Sequence, residues 1–417
     1  MALKRVVVTG LGALTPIGNT VQEFRESLFN GVSGAVPITR FDTSLHKTKF
    51  ACELKNYDAG NFFDRKEARK LDLYCQYAII SADEAIKDSG LNLEKTDKDR
   101  VGVIISSGIG GMGTFEDEIS AFARGDGTPR FSPFFVPKMI SDIASGQISI
   151  KYGFRGPNYC TVAACASSTV SLINAFDHIR LGRVDVMVTG GSEAPVTPAG
   201  LGGFNSLHAI STRNDDPKTA SRPFDLDRDG FVMAEGGGAL ILEEYEHAIK
   251  RGARIYCELV GGGLSADAYH LTAPHPEGLG AALVMLNSLK DAGLKPEAID
   301  YINVHGTSTP LGDVAEPMAV LSVFKEHAYK LSISATKSMH GHLLGAAGAI
   351  EAIASIFAIL DSKIPPTINH FTDDPQIDSK LDFTFNKAKE REVRYALSNT
   401  FGFGGHNATV IFKKMDA

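Results

Sequence analysis

From Leu343 to Leu360 the chain is nearly all apolar or small, with Glu351 and Ser355 the polar exceptions. A helix of that composition has no polar face and belongs fully inside a core. The carboxylate of Glu351 must then be paired, coordinated or protonated. Lys337 and a bound cation are its natural partners. Gly345 and Gly348 each cost such a helix about 1 kcal/mol relative to alanine, which points to close approach by a neighbouring element. At 417 residues, 43% of them apolar, the chain can bury a core of this kind. Its length allows two or three units at about 150 residues each. No run of about 18 apolar residues is free of charge, so no membrane span is expected. The N-terminal Met-Ala-Leu-Lys-Arg leads straight into a strand, unlike a secretory signal. The net charge of -7 argues against a general nucleic-acid binder. Five cysteines without CxxC spacing predict a reducing, cytoplasmic setting and no zinc site.

Taken in order, residues 4–9 predict a buried strand ended by a turn at Gly10-Leu11-Gly12. A dinucleotide fingerprint fails there, because Thr15 and Pro16 occupy the place of its third glycine. Helices are expected over 20–30, after the basic cluster Arg65–Lys70 and on through about residue 89, and over 137–152. Strands are expected over 101–105 and 184–188, with a helix between them. Strand, buried helix, strand is a βαβ unit and implies a parallel sheet. Asp225-Leu226-Asp227-Arg228-Asp229-Gly230 imitates a calcium loop, but position 236 is glycine and Glu235 falls one residue early. An Arg–Asp network pinning a turn fits better. A strand over 236–243 and a helix over 244–252 follow, and the pattern restarts with a strand at 255–261. The restart predicts two similar halves, and no linker separates them, so they share one core.

Four stretches carry candidate chemistry. Thr161-Val162-Ala163-Ala164-Cys165-Ala166-Ser167-Ser168 sets one cysteine among small side chains, between a short strand at Tyr159–Val162 and a helix. A helix N-terminus stabilises a thiolate and can receive an oxyanion. A buried structural cysteine reads equally well from these residues alone. In Asn303-Val304-His305-Gly306-Thr307-Ser308-Thr309 a strand delivers His305 to a hydroxyl-rich turn, where it is either a donor or a satisfied core histidine. Lys337 and His342 precede the buried helix. Phe403 lies among glycines near the C-terminus, as a gate or as a packed ring in a simple turn.

Together the motifs Thr-Val-Ala-Ala-Cys-Ala-Ser-Ser, Val-His-Gly-Thr-Ser-Thr-Pro-Leu-Gly-Asp, Thr-Lys-Ser-Met-x-Gly-His-Leu-Leu-Gly-Ala-Ala-Gly and Asn-x-Phe-Gly-Phe-Gly-Gly resemble the elongating β-ketoacyl-[acyl-carrier-protein] synthases of the thiolase superfamily, over essentially the whole chain. The resemblance implies an α/β fold, five αβαβα layers built from two duplicated halves (1–253 and 254–417), in a homodimer. It implies decarboxylative condensation of an acyl-enzyme with malonyl-carrier protein in fatty-acid elongation. Cys165 becomes the acyl nucleophile, His305 and His342 the catalytic pair, and Lys337 their electrostatic support. The N–H groups of Cys165 and Phe403 become the oxyanion hole, with Phe403 also the gate. Thr307 and Thr309 match hydroxyls near the malonyl carboxylate; Phe401 joins them at the substrate site. Lys66, Arg69 and Lys70 match a docking patch for acyl carrier protein. No cofactor is required. Asn303, Glu316, Glu351, Ser398 and Asn399 match a structural Na+ or K+ site.

Two histidines, rather than His and Asn, separate the chain from initiating synthases. Ile109 and Phe204 match pocket positions of type II members, favouring that type over type I; a specialised polyketide or polyene pathway stays open. His340 and His406 stand where relatives commonly carry Thr, and His208 where a docking arginine is expected. A degradative thiolase needs a late second cysteine, and none follows Cys257. A chain-length-factor subunit would lack Cys165. A Cys-His thioester hydrolase would release free acid instead of a condensed product.

Overall fold

Two sets of five strands share one topology in the computed structural model, which describes residues 3–416. The first set comprises β1 (Val6–Leu14), β2 (Val101–Ser106), β3 (Asn158–Tyr159), β4 (Val186–Glu193) and β5 (Gly236–Glu244). The second comprises β6 (Cys257–Ala266), β7 (Tyr301–Asn303), β8 (Ser332–Ser334), β9 (Tyr395–Gly402) and β10 (His406–Lys413). Their spatial order is β8-β7-β9-β10-β6-β1-β5-β4-β2-β3. Read outward from the middle, β1-β5-β4-β2-β3 mirrors β6-β10-β9-β7-β8, and each step has the same sense: antiparallel twice, then parallel twice. Val6–Val8 joins the sets by pairing with Leu259–Cys257.

Six helices complete the layers: α1 (Leu73–Asp88), α2 (Ile143–Tyr152), α3 (Ser167–Arg180), α4 (Leu279–Ala292), α5 (Gly312–Phe324) and α6 (Ala347–Asp361). Helices α1 and α2 cover the outer face of the first set, and α4 and α5 that of the second. Helices α3 and α6 touch strands of both sets and form the central layer. The result is the five-layer arrangement of the thiolase-like fold. The largely apolar stretch Leu344–Asp361 is long enough to cross a bilayer by composition, yet 89% of it is buried in the protein. Close approach explains its second glycine: a Cβ on Gly348 would lie 2.0 Å from Thr169 Oγ1 of α3.

Two local expectations needed correction, and a third held. Gly10-Leu11-Gly12 is no turn; β1 runs on to Leu14, and a Cβ at Gly12 would meet Ser81 O of α1 at 1.9 Å. The glycine is there so that helix and strand can touch. The helix expected over 137–152 is two, Phe135–Met139 and Ile143–Tyr152. Ile140 between them is extended, and its carbonyl accepts the Tyr74 hydroxyl beside a long bond from Ile143 N–H. The calcium-like loop is the expected Arg–Asp network: Arg228 pairs with Asp374 at 2.7 Å, and Asp225 accepts the N–H groups of Phe371, Thr372 and Asp227. Among the described residues all five cysteines are free.

Candidate active site

Cys165 sits at a backbone corner two residues before α3. Its neighbour Ala164 has φ +48°, the left-handed region that costs a non-glycine residue roughly 1–2 kcal/mol. The Ser167 hydroxyl holds the corner, accepting Ala163 N–H at 2.9 Å and donating to Ala164 O at 2.6 Å. The strand expected over Tyr159–Val162 stops at Tyr159; the Thr161 hydroxyl turns inward to Ser106, Ser167 and Ser171. The backbone N–H groups of Phe403 and of Cys165 itself favour the ionised form of the thiol. Both belong to the corner at the head of α3 and the segment facing it, beside the thiol.

The second half supplies two imidazoles. His305 follows the end of β7, and its N–H and that of Gly306 both donate to Glu316 at 2.9 Å. His342 is pinned by its own backbone, N–H to Val232 O at 2.7 Å and carbonyl to Ala234 N–H at 3.0 Å. Its Nε2 lies 3.1 Å from Cys165 Sγ. The two rings stand edge to face with centroids 5.3 Å apart. Lys337 Nζ donates to His305 O at 2.8 Å and pairs with Glu351. The partner expected for the core carboxylate is therefore the one found, and the ammonium also fixes the turn that carries His305.

Burial dominates the electrostatics. It pushes the Cys165 thiol up to about 12, against the pull of Lys337. Burial, then the Lys337 charge, holds His305 and His342 well below the usual histidine range. Both rings are neutral, and neither Nδ1 has a hydrogen-bond partner, so nothing locks their tautomers.

A cavity of about 370 Å³ opens onto this group. Its wall contains Cys165, His305, His342, Thr307, Thr309, Phe204, Phe401 and Phe403. The hydroxyls of Thr307 and Thr309 lie 3.0 Å apart. Phe401 packs on His305, and Phe403 faces Phe204. Ile109 is not in this wall: it is 39% exposed on the loop after β2, its N–H held by Glu193. Lys66, Arg69 and Lys70 are exposed on the turn before α1 and do not line the cavity. His208 is on the cavity rim, with φ +53°. His406 is exposed at the start of β10, whereas His340 is wholly buried beneath Lys337.

Residues matched to the cation site fall together. Asn303 and Ser398 are register partners on β7 and β9. Asn303 Oδ1, Ser398 Oγ and Glu351 Oε2 are buried without a partner. Asn399 donates to Glu316, and its side-chain oxygen is taken by Thr409. Three unsatisfied oxygens, with two carboxylates against one ammonium, suit a monovalent cation. Among the described residues no group of three or more His, Cys, Asp or Glu is placed to hold a metal ion.

Sequence reasoning missed Glu193. This buried carboxylate closes β4 and accepts Ser107 Oγ and the N–H groups of Gly108, Ile109 and Gly345, between 2.7 and 3.1 Å. It clamps the loop after β2 to the turn that follows His342. The available signal was a carboxylate ending an otherwise apolar strand.

The beta-ketoacyl synthase N-terminal domain model matches residues 3–248 and the C-terminal domain model residues 256–371. The chain is 50% identical over 99% of its length, and 98% of the relative's, to a 3-oxoacyl-[acyl-carrier-protein] synthase 2 of Synechocystis sp.. It is 51% identical to the protein so described in Staphylococcus aureus, over 99% of each chain. Among solved structures it resembles the ishigamide ketosynthase/chain length factor (TM-score 0.92, 34% identity, 100% of each chain). It also resembles a type II polyketide ketosynthase solved with its acyl-carrier protein (TM-score 0.91, 35% identity, 99% of this chain and 100% of that one). Two domain models end to end, half of all residues shared with full-length relatives, and a cysteine meeting two histidines across the halves place this chain in the beta-ketoacyl synthase family.

Proposed function

We propose that the chain catalyses decarboxylative condensation of an acyl group held on Cys165 with malonyl-carrier protein, giving 3-oxoacyl-carrier protein and carbon dioxide in fatty-acid elongation. The approach of His342 Nε2 to Cys165 Sγ at 3.1 Å, with His305 beside it on the same cavity, carries the reading. Identity of 50–51% to the two synthase 2 relatives, against 34–35% to the ishigamide and type II polyketide ketosynthases, favours fatty-acid elongation over a specialised pathway.

In the first step Sγ attacks the incoming thioester carbon. The oxyanion takes the N–H groups of Cys165 and Phe403. The bond to the carrier's sulfur breaks, and that sulfur leaves with the thiol proton, relayed by His342 Nε2. A thiol near 12 does not ionise ahead of its substrate, so proton and acyl group move together. In the second step the malonyl carboxylate leaves as carbon dioxide. The enolate oxygen accepts hydrogen bonds from Nε2–H of His305 and of His342, the latter once its ring proton has moved from the unpartnered Nδ1 to Nε2. The carbanion attacks the acyl thioester, and Cys165 departs as a thiolate that takes one proton from solvent. One such donor is worth about 3–4 kcal/mol. Thr307 and Thr309 hold the malonyl carboxylate. Phe403 gates the cavity and Phe401 backs His305.

Residues 1–253 and 254–417 are the two halves. Lys66, Arg69 and Lys70 dock the acidic acyl carrier protein in the cytoplasm. The chain pairs as a homodimer through the exposed aromatic surface around Phe115, Phe131 and Phe134, which a lone subunit would leave in water. Asn303, Ser398, Glu351 and Glu316 hold Na+ or K+, which balances buried negative charge and takes no part in bond making.

The test supplies acyl- and malonyl-carrier protein to wild type and to Cys165→Ala and follows the masses. Wild type forms an acyl-enzyme, a product longer by two carbons and carbon dioxide; the variant forms no acyl-enzyme. Acylation of the variant, or free acid as the wild-type product, rejects the reading.

A further inference from the structure

Asn303 Oδ1 is one of the three unpartnered oxygens of the cation site. An amide turned over would put an NH2 group there instead, and a donor repels a cation. We propose that His340, acting through Thr336, fixes the Asn303 amide so that its oxygen faces the cation, which makes His340 a positioning residue. This rests on the cation reading above.

The assignment follows proton by proton. His340, Thr336 and Asn303 are each wholly buried, so water does not complete their hydrogen bonds. His340 Nδ1 lies 2.7 Å from Gly341 O. A carbonyl only accepts, so Nδ1 carries the ring proton. The ring is neutral, packed on Phe24 and next to the Lys337 ammonium, and burial takes its pKa down to about 3. Nε2 is therefore an acceptor. Thr336 Oγ1 lies 3.1 Å from it and must donate its single proton there. That hydroxyl then has only lone pairs left for Asn303, 3.3 Å away, which must present Nδ2–H. Oδ1 is then left free, and the register partner of Asn303 on the paired strand is Ser398, whose hydroxyl is also unpartnered. Threonine at 340 would have no atom at the ring's Nε2 position. The Thr336 proton would be free to point at Asn303, and either amide orientation would be satisfied.

The experiment measures the thermal midpoint of the full chain in KCl and NaCl against choline chloride at fixed ionic strength. It compares wild type with Thr336→Val, Thr336→Ser, His340→Asn and His340→Gln. Valine keeps the shape of threonine, and serine keeps the hydroxyl. A glutamine oxygen reaches the Nε2 position, whereas asparagine stops at Nδ1. Wild type rises with K+ or Na+ and not with choline. Thr336→Val and His340→Asn need about ten-fold or more cation for half the rise, as for other residues that orient metal ligands. Thr336→Ser and His340→Gln stay close to wild type. Equal half-saturation in wild type and Thr336→Val overturns the relay, as does Thr336→Ser behaving like Thr336→Val. A wild type indifferent to K+ and Na+ removes the cation reading and the relay with it, a result distinct from the other two.

Discussion

The two halves of the molecule build one corner twice and arm it once. In the first half Ala164 (φ +48°), Cys165 and Ala166 lead into α3 at Ser167. In the second, Leu344 (φ +47°), Gly345 and Ala346 lead into α6 at Ala347. Helices α3 and α6 are the paired central helices, preceding the equivalent strands β4 and β9. Gly345 thus stands where Cys165 stands. The difference lies in what each corner faces. Around Cys165 two N–H groups favour the ionised thiol and a cavity opens. At Gly345 the N–H donates to Glu193 Oε2 at 2.9 Å, and the same oxygen takes Gly108 N–H. The strained turn belongs to the fold and is copied with it. One copy has its mouth open onto the cavity, and the other is stopped by a carboxylate.

The largest expected effect tests that claim. Cys165→Ala/Gly345→Cys moves the thiol to the twin corner. We expect no acyl-enzyme by mass and condensation down by more than about 10³-fold, because the second corner offers no oxyanion donors. Acylation at residue 345 would show that the corner alone suffices.

Next comes Lys337, which the second half alone contributes. Lys337→Met should cut condensation by about 10²-fold, and its pH profile carries the sharper information. The ammonium disfavours a second positive charge on His305 and His342, holding their pKa values down. Without it both rise toward the ordinary value, and the acid limb of kcat/KM moves to higher pH. An unmoved limb would assign Lys337 to the His305 turn alone. The same depression means that the buried neutral rings lose stability for the fold as pH falls below about 6.5, where the unfolded chain takes up the protons. Smaller again is Gly345→Ala. A Cβ there would meet Gly108 N at 2.3 Å and Glu193 Oε2 at 2.6 Å. Backbone and clamp would both have to move, at about 1–3 kcal/mol, read as a lower midpoint in denaturant. A variant as stable as wild type would mean the clamp is loose.

Much of this was legible in the residues. The run from Leu343 to Leu360 announced a core helix because it has no face to give to water, and Glu351 inside it announced a partner. The repeat of strand and helix near residue 255 announced the halves. Motif order brought Cys165, His305 and His342 together, which periodicity could not, since the contacts span most of the chain. What stayed hidden depends on three-dimensional neighbours. Gly12 read as a turn because nothing local shows that α1 lies against it. The break at Ile140 depends on a hydroxyl from Tyr74, far away in sequence. Glu193 looked like an ordinary strand end until four donors from two segments converged on it. Ile109 was expected in the cavity wall and lies outside it in the single chain, because Glu193 holds its backbone on the loop.

The smallest effect concerns the surface, where the halves differ again. Between β1 and α1 the first half carries the exposed Lys66, Arg69 and Lys70; the corresponding segment of the second half, 267–278, has no lysine or arginine. If the first half alone receives the carrier protein, reversing these three charges should raise KM for acyl-carrier protein by about ten-fold. Single exposed contacts are worth at most about 1 kcal/mol, so no one reversal should account for the whole change. Added salt should weaken wild type toward the variant, since the contacts are open to screening. Transfer from a short acyl thioester that lacks the carrier should be unchanged, because none of the three side chains lines the cavity. Slowing of that reaction as well would place the fault in the fold of the turn, and the asymmetry between the halves would then say nothing about docking.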